Sequence, residues 1–347
     1  MNAVSTTNAI DRIRETIART APEIRDGMEQ RRQSIERVNP SGENVIAADA
    51  HADEVLARRL TALEAVGSFA SEERETVVEG AGRYHVTVDP LDGSSNIASG
   101  NPAGTIVGIY DEPLPASGRS LVAAGYVLFG SVTVLVFAHD GEVTEYAIDR
   151  DGETRTLTEN CTIPDEPVVY GFGGGDSWSD EFTAFADSMR QELKLRYSGA
   201  MVADVNQVLS YGGLFAYPAL QSRPSGKLRH QFEAAPMAYV IETAGGASSD
   251  GTQSLLDVEV AVEAGLAAEG CPLAVPLDGR RRLQHGRWVA RVGHRRHRLV
   301  VDVEGDDVVA GVDDALGDDL SHPSESDQAK FHTPGSPGVQ GGVVVSA

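Results

Sequence analysis

The chain has 347 residues, 41% of them hydrophobic, with 52 acidic against 29 basic residues and a net charge of −23. That length allows two ordinary domains or one large α/β unit, and the acidic field repels nucleic acid and anionic lipid, which excludes both as expected partners. Lysine is confined to Lys194, Lys227 and Lys330 beside abundant arginine, a balance that reads as halophilic adaptation to a salty cytoplasm.

The N-terminal "MNAVSTTNAIDRIRE" has charge early and no apolar signal core, so the expectation is a cytoplasmic protein. Ile10, Ile13, Ile17 and Ile24 recur at helical spacing within 8–36, with a break expected near Pro22. After the turn "NPSGE", Val55, Leu56 and Leu60 mark a second helix over 45–66. "GSFASEERE" is a short strand that runs into acids, and Tyr84-His85-Val86-Thr87-Val88 alternates as a strand does. Residues 104–110 form a buried strand, and 121–149 supply two more strands and a hairpin turned at Asp140-Gly141. Glycine and serine interrupt the apolar run 121–137, so it cannot span a membrane. A further strand begins at 168, helices are expected at 180–193, 201–211 and 233–243, and 213–220 is a strand. Helices, then a β-rich block, then alternating elements describe layered α/β architecture with a boundary near residue 165. Cys161 and Cys271 fit a reducing compartment and give no disulfide framework.

The chemistry begins at "DPLDGSSN", residues 89–96, where a strand ends. Two aspartates three apart, stiffened by proline, bring two carboxylates and a carbonyl to one small volume, a hard oxygen site for Mg²⁺ or Mn²⁺. The Gly93-Ser94-Ser95-Asn96 turn can direct its N–H groups outward as a seat for phosphate. Two or more such ions beside a phosphate seat imply phosphoryl chemistry, because they acidify an attacking water and neutralise a leaving oxygen. A lone D-x-x-D is more often a solvated turn, but every position of this eight-residue string has a physical task. Glu72 and Glu73 end another strand, where adjacent like charges are costly unless cations hold them. Asp49, Asp53 and Glu54 lie together in the second helix, where a solvated face is the ordinary explanation.

With "ASEE" (70–73), "DPLDGSSN", "GTIVGIY", "LVAAGYVLFGS", "RYSGAMVADVNQVLSYGGLFAYP" (196–218), "GKLRHQFEAAPMAYVIETAGG" (226–246) and "LLDV" (255–258) in order, the chain resembles the class I fructose-1,6-bisphosphatases of the lithium-sensitive sugar-phosphatase superfamily. The resemblance implies an αβαβα layered sandwich of two subdomains, 1–165 with the metal motif and 166–275 for the sugar phosphate. It implies hydrolysis of the 1-phosphate of fructose 1,6-bisphosphate, a gluconeogenic step, with two or more Mg²⁺ ions per site. The implied metal ligands are Glu72, Asp89, the Leu91 carbonyl, Asp92 and Glu233. Glu73 would activate the water, with Asp49 and the Asp53/Glu54 pair nearby. Asp92, Gly93, Ser94 and Ser95 would hold the phosphate that is cleaved, and Tyr197, Tyr217 and Lys227 the sugar and its second phosphate. Met201 would touch the sugar, Arg229 would lie close by, and Arg196 would reach a neighbouring subunit's site in a homotetramer.

The chain departs from that family in three places. No asparagine stands upstream of Arg196-Tyr197 in "DSMRQELKLRY". Arg83-Tyr84 matches part of the family's AMP pocket, yet Asp111 and Glu112 follow "GIY" where a second basic residue belongs, so AMP inhibition is not expected. After "LLDV" the family's closing strand pattern is missing, and 276–347 turn arginine-rich, then glycine- and proline-rich. Such a tail reads as a frame-shifted or disordered segment. Three alternatives stay open: a sedoheptulose-1,7-bisphosphatase, an inositol or other sugar phosphatase, and an inactive protein that only binds sugar phosphates.

Overall fold

The computed structural model describes residues 3–30, 34–40, 44–174, 178–220, 226–260, 273–275, 287–292, 297–304 and 307–314. Helix α1 (Ala3–Gln30) packs beside α2 (Ala47–Leu60), and between them lies the two-stranded ribbon of β1 (Ser34–Val38) and β2 (Asn44–Ile46). The expected break at Pro22 does not occur. Proline removes one helical hydrogen bond, but Ile17, Ala18, Ala21 and Ile24 on either side are buried against Leu56 and Leu60, and that packing holds the turns in line. The helix ends six residues early because 34–38 are taken into the ribbon.

The large sheet has eight strands: β3 (Val66–Ser71), β4 (Val78–Glu79), β5 (Tyr84–Asp92), β6 (Ala103–Tyr110), β7 (Leu121–Phe129), β8 (Thr133–His139), β9 (Glu142–Ile148) and β10 (Thr154–Thr158). Their order is β10-β9-β8-β7-β6-β5-β3-β4, a meander except for the parallel β3–β5 pair. Side chains alternate across it. Val107 and Ile109 of β6 face α1 and α2, whereas Ile106 and Tyr110 join the opposite core.

That opposite core holds α4 (Met201–Tyr211) and α5 (Ala235–Thr243), through Val202, Val205, Met237 and Val240. It is closed by a second sheet, order β12-β11-β13-β14, built from β11 (Val169–Phe172), β12 (Lys194–Leu195), β13 (Gly213–Tyr217) and β14 (Leu273–Val275). Helix α3 (Asp180–Glu192) covers its far face with Phe182 and Phe185 on Tyr170 and Phe172. The layers therefore run helix, sheet, helix, sheet, helix, the αβαβα sandwich that the family resemblance implies.

In the arginine-rich segment, β15 (Arg287–Val292), β16 (His297–Glu304) and β17 (Asp307–Asp314) pair antiparallel as a separate three-stranded sheet. The glycine- and proline-rich 315–347 lie outside the described residues.

Candidate active site

Strands β3 and β5 run parallel with Ser71 opposite Val88, so both chains leave the sheet at the same edge. The Glu72 N–H donates to the Val88 carbonyl at 3.0 Å, and the next residue on β5 is Asp89. The register alone brings the two acids side by side. Beyond Asp89 the ladder with β6 slips, from Asp89↔Ile106 to Asp92↔Gly104. Pro90 has no N–H to donate, so a bulge is the natural result, and its carbonyl accepts from Thr105 Oγ1 at 2.8 Å. The bulge turns Asp92 back toward the same volume and leaves Leu91 N–H on Asp89 Oδ1 at 2.9 Å.

The third acid arrives from across the core. Residues His230–Ala234 form a π-helical turn, with Ala234 N–H reaching back five residues to the Arg229 carbonyl at 3.2 Å. The extra residue seats Glu233 over its own Arg229, whose backbone N–H donates to Glu233 Oε2 at 2.6 Å. One carboxylate oxygen each from Glu72, Asp89 and Glu233 lies within 4.8 Å of the others. These acids are 8%, 5% and 6% exposed, and Asp92 is 9% exposed.

Four buried acids in one place resist ionisation. Burial, then repulsion from Asp89 and Glu233, pushes the Glu72 carboxyl well above its ordinary range, against the pull of Arg229. Asp89 is raised by burial and by Glu233 and Asp92. Asp92 is pushed up to about 7 by burial, while a hydrogen bond from Val202 N–H pulls it back. The Arg229 guanidinium is the local counter-charge, paired with both Glu72 and Glu233. Glu72 Oε2 is nevertheless buried with no hydrogen-bond partner among the described residues. A hard divalent cation, which takes several oxygens and no nitrogen or sulfur, fits this donor set.

Glu73 is also buried, its N–H on Ser71 Oγ at 3.3 Å and its Oε1 accepting from Asn39 Nδ2 at 3.3 Å. Asn39 follows β1, and nothing in "NPSGE" distinguished it from an ordinary turn residue. Asp49, in the first turn of α2, accepts from Ile46 N–H at 2.8 Å and so caps the helix. One turn on, Asp53 takes both ends of Arg74, at 2.9 and 2.8 Å, which ties α2 to the turn that carries Glu73. Glu54 is exposed and joins neither group. Of the three helix acids, Asp53 meets the turn that carries Glu73, Asp49 is buried at its own helix start and Glu54 is exposed.

The turn that the sequence suggests as a phosphate seat opens at a left-handed Gly93 (φ 72°) and continues as the 3₁₀ turn Ser94–Ala98. A Cβ at Gly93 would stand 2.3 Å from Ala200 Cβ, so glycine is needed for space as well as for conformation. Ser94 is half-buried and Ser95 exposed, both accessible to a ligand. On the other side of the core, Met201 begins α4, and Asp92 Oδ2 accepts from Val202 N–H at 2.8 Å. Tyr197 is 46% exposed beside Tyr217, and burial followed by Tyr217 raises its hydroxyl pKa. Lys227 Nζ lies 5.6 Å from the centroid of the Tyr217 ring. Arg196 is exposed at the end of the edge strand β12.

The pattern described as "Fructose-1-6-bisphosphatase, N-terminal domain" matches residues 31–160, and its C-terminal counterpart matches 163–264. The chain is 56% identical over 255 residues to a fructose-1,6-bisphosphatase class 1 of Natronomonas pharaonis, covering 73% of this chain and 90% of that protein. A Haloarcula marismortui protein of the same class is 52% identical over 260 residues, 74% of this chain and 89% of its own length. The crystal structure of Leishmania major fructose-1,6-bisphosphatase in holo form is similar at TM-score 0.69 and 27% identity, covering 78% of this chain and 89% of that one. Both family domains follow one another in order on a sandwich shared with the solved relatives, and the chain belongs to the class I fructose-1,6-bisphosphatase family.

Proposed function

We propose that the chain hydrolyses the 1-phosphate of D-fructose 1,6-bisphosphate, giving fructose 6-phosphate and inorganic phosphate, with Mg²⁺ or Mn²⁺ as cofactor. The observation that carries this reading is the buried triad of Glu72, Asp89 and Glu233 beside the Gly93 phosphate seat, on a chain whose relatives are named for that reaction. Glu72, Asp89, Asp92, Glu233 and the Leu91 carbonyl would hold the ions, two or more per site. Bound there, divalent ions supply charge neutralisation and a more acidic water.

The rest is work for this chain's own groups. Glu73 takes the proton from the attacking water, with Asn39 orienting its carboxylate and Asp49 assisting, as the family resemblance implies. Arg74, clamped by Asp53, fixes that turn. Asp92, Gly93, Ser94 and Ser95 hold the phosphate that is cleaved, with Asp92 itself held by the Val202 N–H of α4. Tyr197, Tyr217 and Lys227 receive the sugar and its second phosphate, beside Met201. Arg229 is the positive charge already present among the acids, and a neutral side chain there would leave Glu72 and Glu233 to repel each other. In a homotetramer, Arg196 at the exposed edge would extend toward a neighbour's site.

Phosphate release in high salt should occur with fructose 1,6-bisphosphate plus Mg²⁺ and vanish in chelator. Faster turnover of sedoheptulose 1,7-bisphosphate or an inositol phosphate would reassign the substrate. Sugar-phosphate binding without release at saturating Mg²⁺ would instead make the chain a binding protein only.

The AMP departure has a structural counterpart. Arg83 donates through Nε and a terminal nitrogen to both oxygens of Asp111, at 2.6 Å for the Nε bond, and holds that carboxyl below its ordinary range. An arginine already neutralised in this way is a weak anion receptor. Titration with AMP to the millimolar range should leave turnover unchanged, and inhibition at micromolar AMP would refute this.

A further inference from the structure

The phosphate seat comes from the large sheet and the Tyr197 side of the site from the small one, so something must fix the gap between them. The loop 196–200 is where they touch. The peptide units flanking Ser198 are gripped on both sides. Its N–H donates to Asp204 Oδ1 at 2.7 Å, and its carbonyl accepts from Asn96 Nδ2 at 2.9 Å. Asn96 Nδ2 also donates to the Pro102 carbonyl at 2.8 Å, which anchors it to the start of β6. Gly199 takes a left-handed φ of 87°, and a Cβ there would stand 3.1 Å from Asn96 Oδ1. With Ala200 against Gly93 and Val202 N–H on Asp92, the segment before α4 is moulded directly onto residues 92–96.

Asp204 is the charged member of this grip, only 3% exposed, one turn into α4. A carboxylate is costly to bury, and an apolar residue would fill the position more cheaply. Its Oδ1 is committed to the Ser198 N–H, its Oδ2 is buried with no hydrogen-bond partner among the described residues, and Tyr197 adjoins the peptide it holds. That arrangement fixes one loop rather than strengthening the core in general.

We propose that Asp204 is a positioning residue that sets the separation between the phosphate seat and Tyr197, and thereby selects sugar bisphosphates over small monophosphate esters. The inference rests on the reading above, in which Tyr197, Tyr217 and Lys227 receive the second phosphate. An ester with one phosphate needs the seat alone; a bisphosphate needs both ends at a fixed spacing.

The test is steady-state kinetics of the full chain, Asp204→Ala and Asp204→Asn, on fructose 1,6-bisphosphate and on p-nitrophenyl phosphate at saturating Mg²⁺, with thermal melts alongside. Asp204→Ala should raise KM for the bisphosphate by about tenfold, the scale of one hydrogen bond to a charged group, with kcat and the aryl ester within about threefold. Asp204→Asn keeps an oxygen to accept the Ser198 N–H and should restore KM to within about threefold of the parent. Equal losses on both substrates, or an unchanged bisphosphate KM, would overturn the proposal. If Asp204→Ala does not fold, Asn96→Ala cuts the opposite side of the same grip. It must weaken the bisphosphate more than the aryl ester, and a uniform loss again overturns the idea. A parent chain that releases phosphate from neither compound fails the functional reading itself, a result distinct from all of these.

Discussion

Glu72→Gln should lower phosphate release on the order of a thousandfold or more while leaving the metal-free protein more stable than its parent, by about 1–2 kcal/mol. Both effects have one cause. Glu72 is a buried carboxylate facing Asp89 and Glu233, with one oxygen on Arg229 and the other without a hydrogen-bond partner. Glutamine keeps an oxygen for Arg229 and replaces the unpartnered oxygen with a donor that faces two acids. It removes the charge that a divalent ion needs. The pH dependence carries a checkable sign. Asp92 is raised to about 7, and Glu72 and Asp89 are raised as well, so the folded chain binds protons that the unfolded chain releases. The contribution of these carboxylates to stability in chelator is therefore full below the ordinary carboxylate range and is lost as pH rises toward 7. Saturating Mg²⁺ should reverse that loss, adding about 2.7 kcal/mol at a hundredfold excess over its dissociation constant. Thermal melts at pH 5 and 7.5, with chelator and with Mg²⁺, measure all of this. A folded Glu72→Gln variant with near-parental turnover, or a stability gap between variant and parent in chelator that does not widen from pH 5 to pH 7.5, would remove Glu72 from the ion site.

The two sides of this site were unequally legible. Asp89, Asp92 and Glu72 could be found because strand ends are local: alternation locates β3 and β5, proline marks the bulge, and acids just past it have few structural excuses. Element order led only to a layered α/β class, and the αβαβα sandwich came with the family resemblance. Glu233 needed the family resemblance, because helical spacing over 233–243 gives no sign of a π turn one residue wider than an α turn. The Pro22 break was a local rule overruled by tertiary packing, since the isoleucine stripe continues past it into α2. Asn39 and Asp204 act through partners 34 and 6 residues away, and single polar residues in a turn or a first helical turn carry no mark of those partners. Asp53 and Glu54 were separable only in three dimensions: adjacent on the chain, one meets Arg74 and the other meets solvent.

The π turn holds a second group whose burial has consequences, and it pulls the pH dependence the other way. His230 is 6% exposed, and neither ring nitrogen has a hydrogen-bond partner among the described residues. Burial lowers its pKa from 6.5 to about 4, against a small upward pull from Asp250. The folded chain thus refuses a proton that the unfolded chain accepts, so this contribution to stability is complete above 6.5 and drains away as pH falls toward 4. The full span is worth roughly 3 kcal/mol. His230→Leu removes the titration and two unsatisfied polar atoms while keeping an apolar side chain of comparable bulk. The variant should be more stable than the parent, by a margin that widens as pH falls from 7 to 4.5. The carboxylates are common to both chains, so their opposite trend cancels in the difference. Denaturant unfolding of both proteins across that range reads the margin directly. A margin that stays constant with pH would mean that His230 does not titrate within the fold, and a variant less stable than the parent at every pH would mean that the imidazole has a partner that burial alone does not reveal.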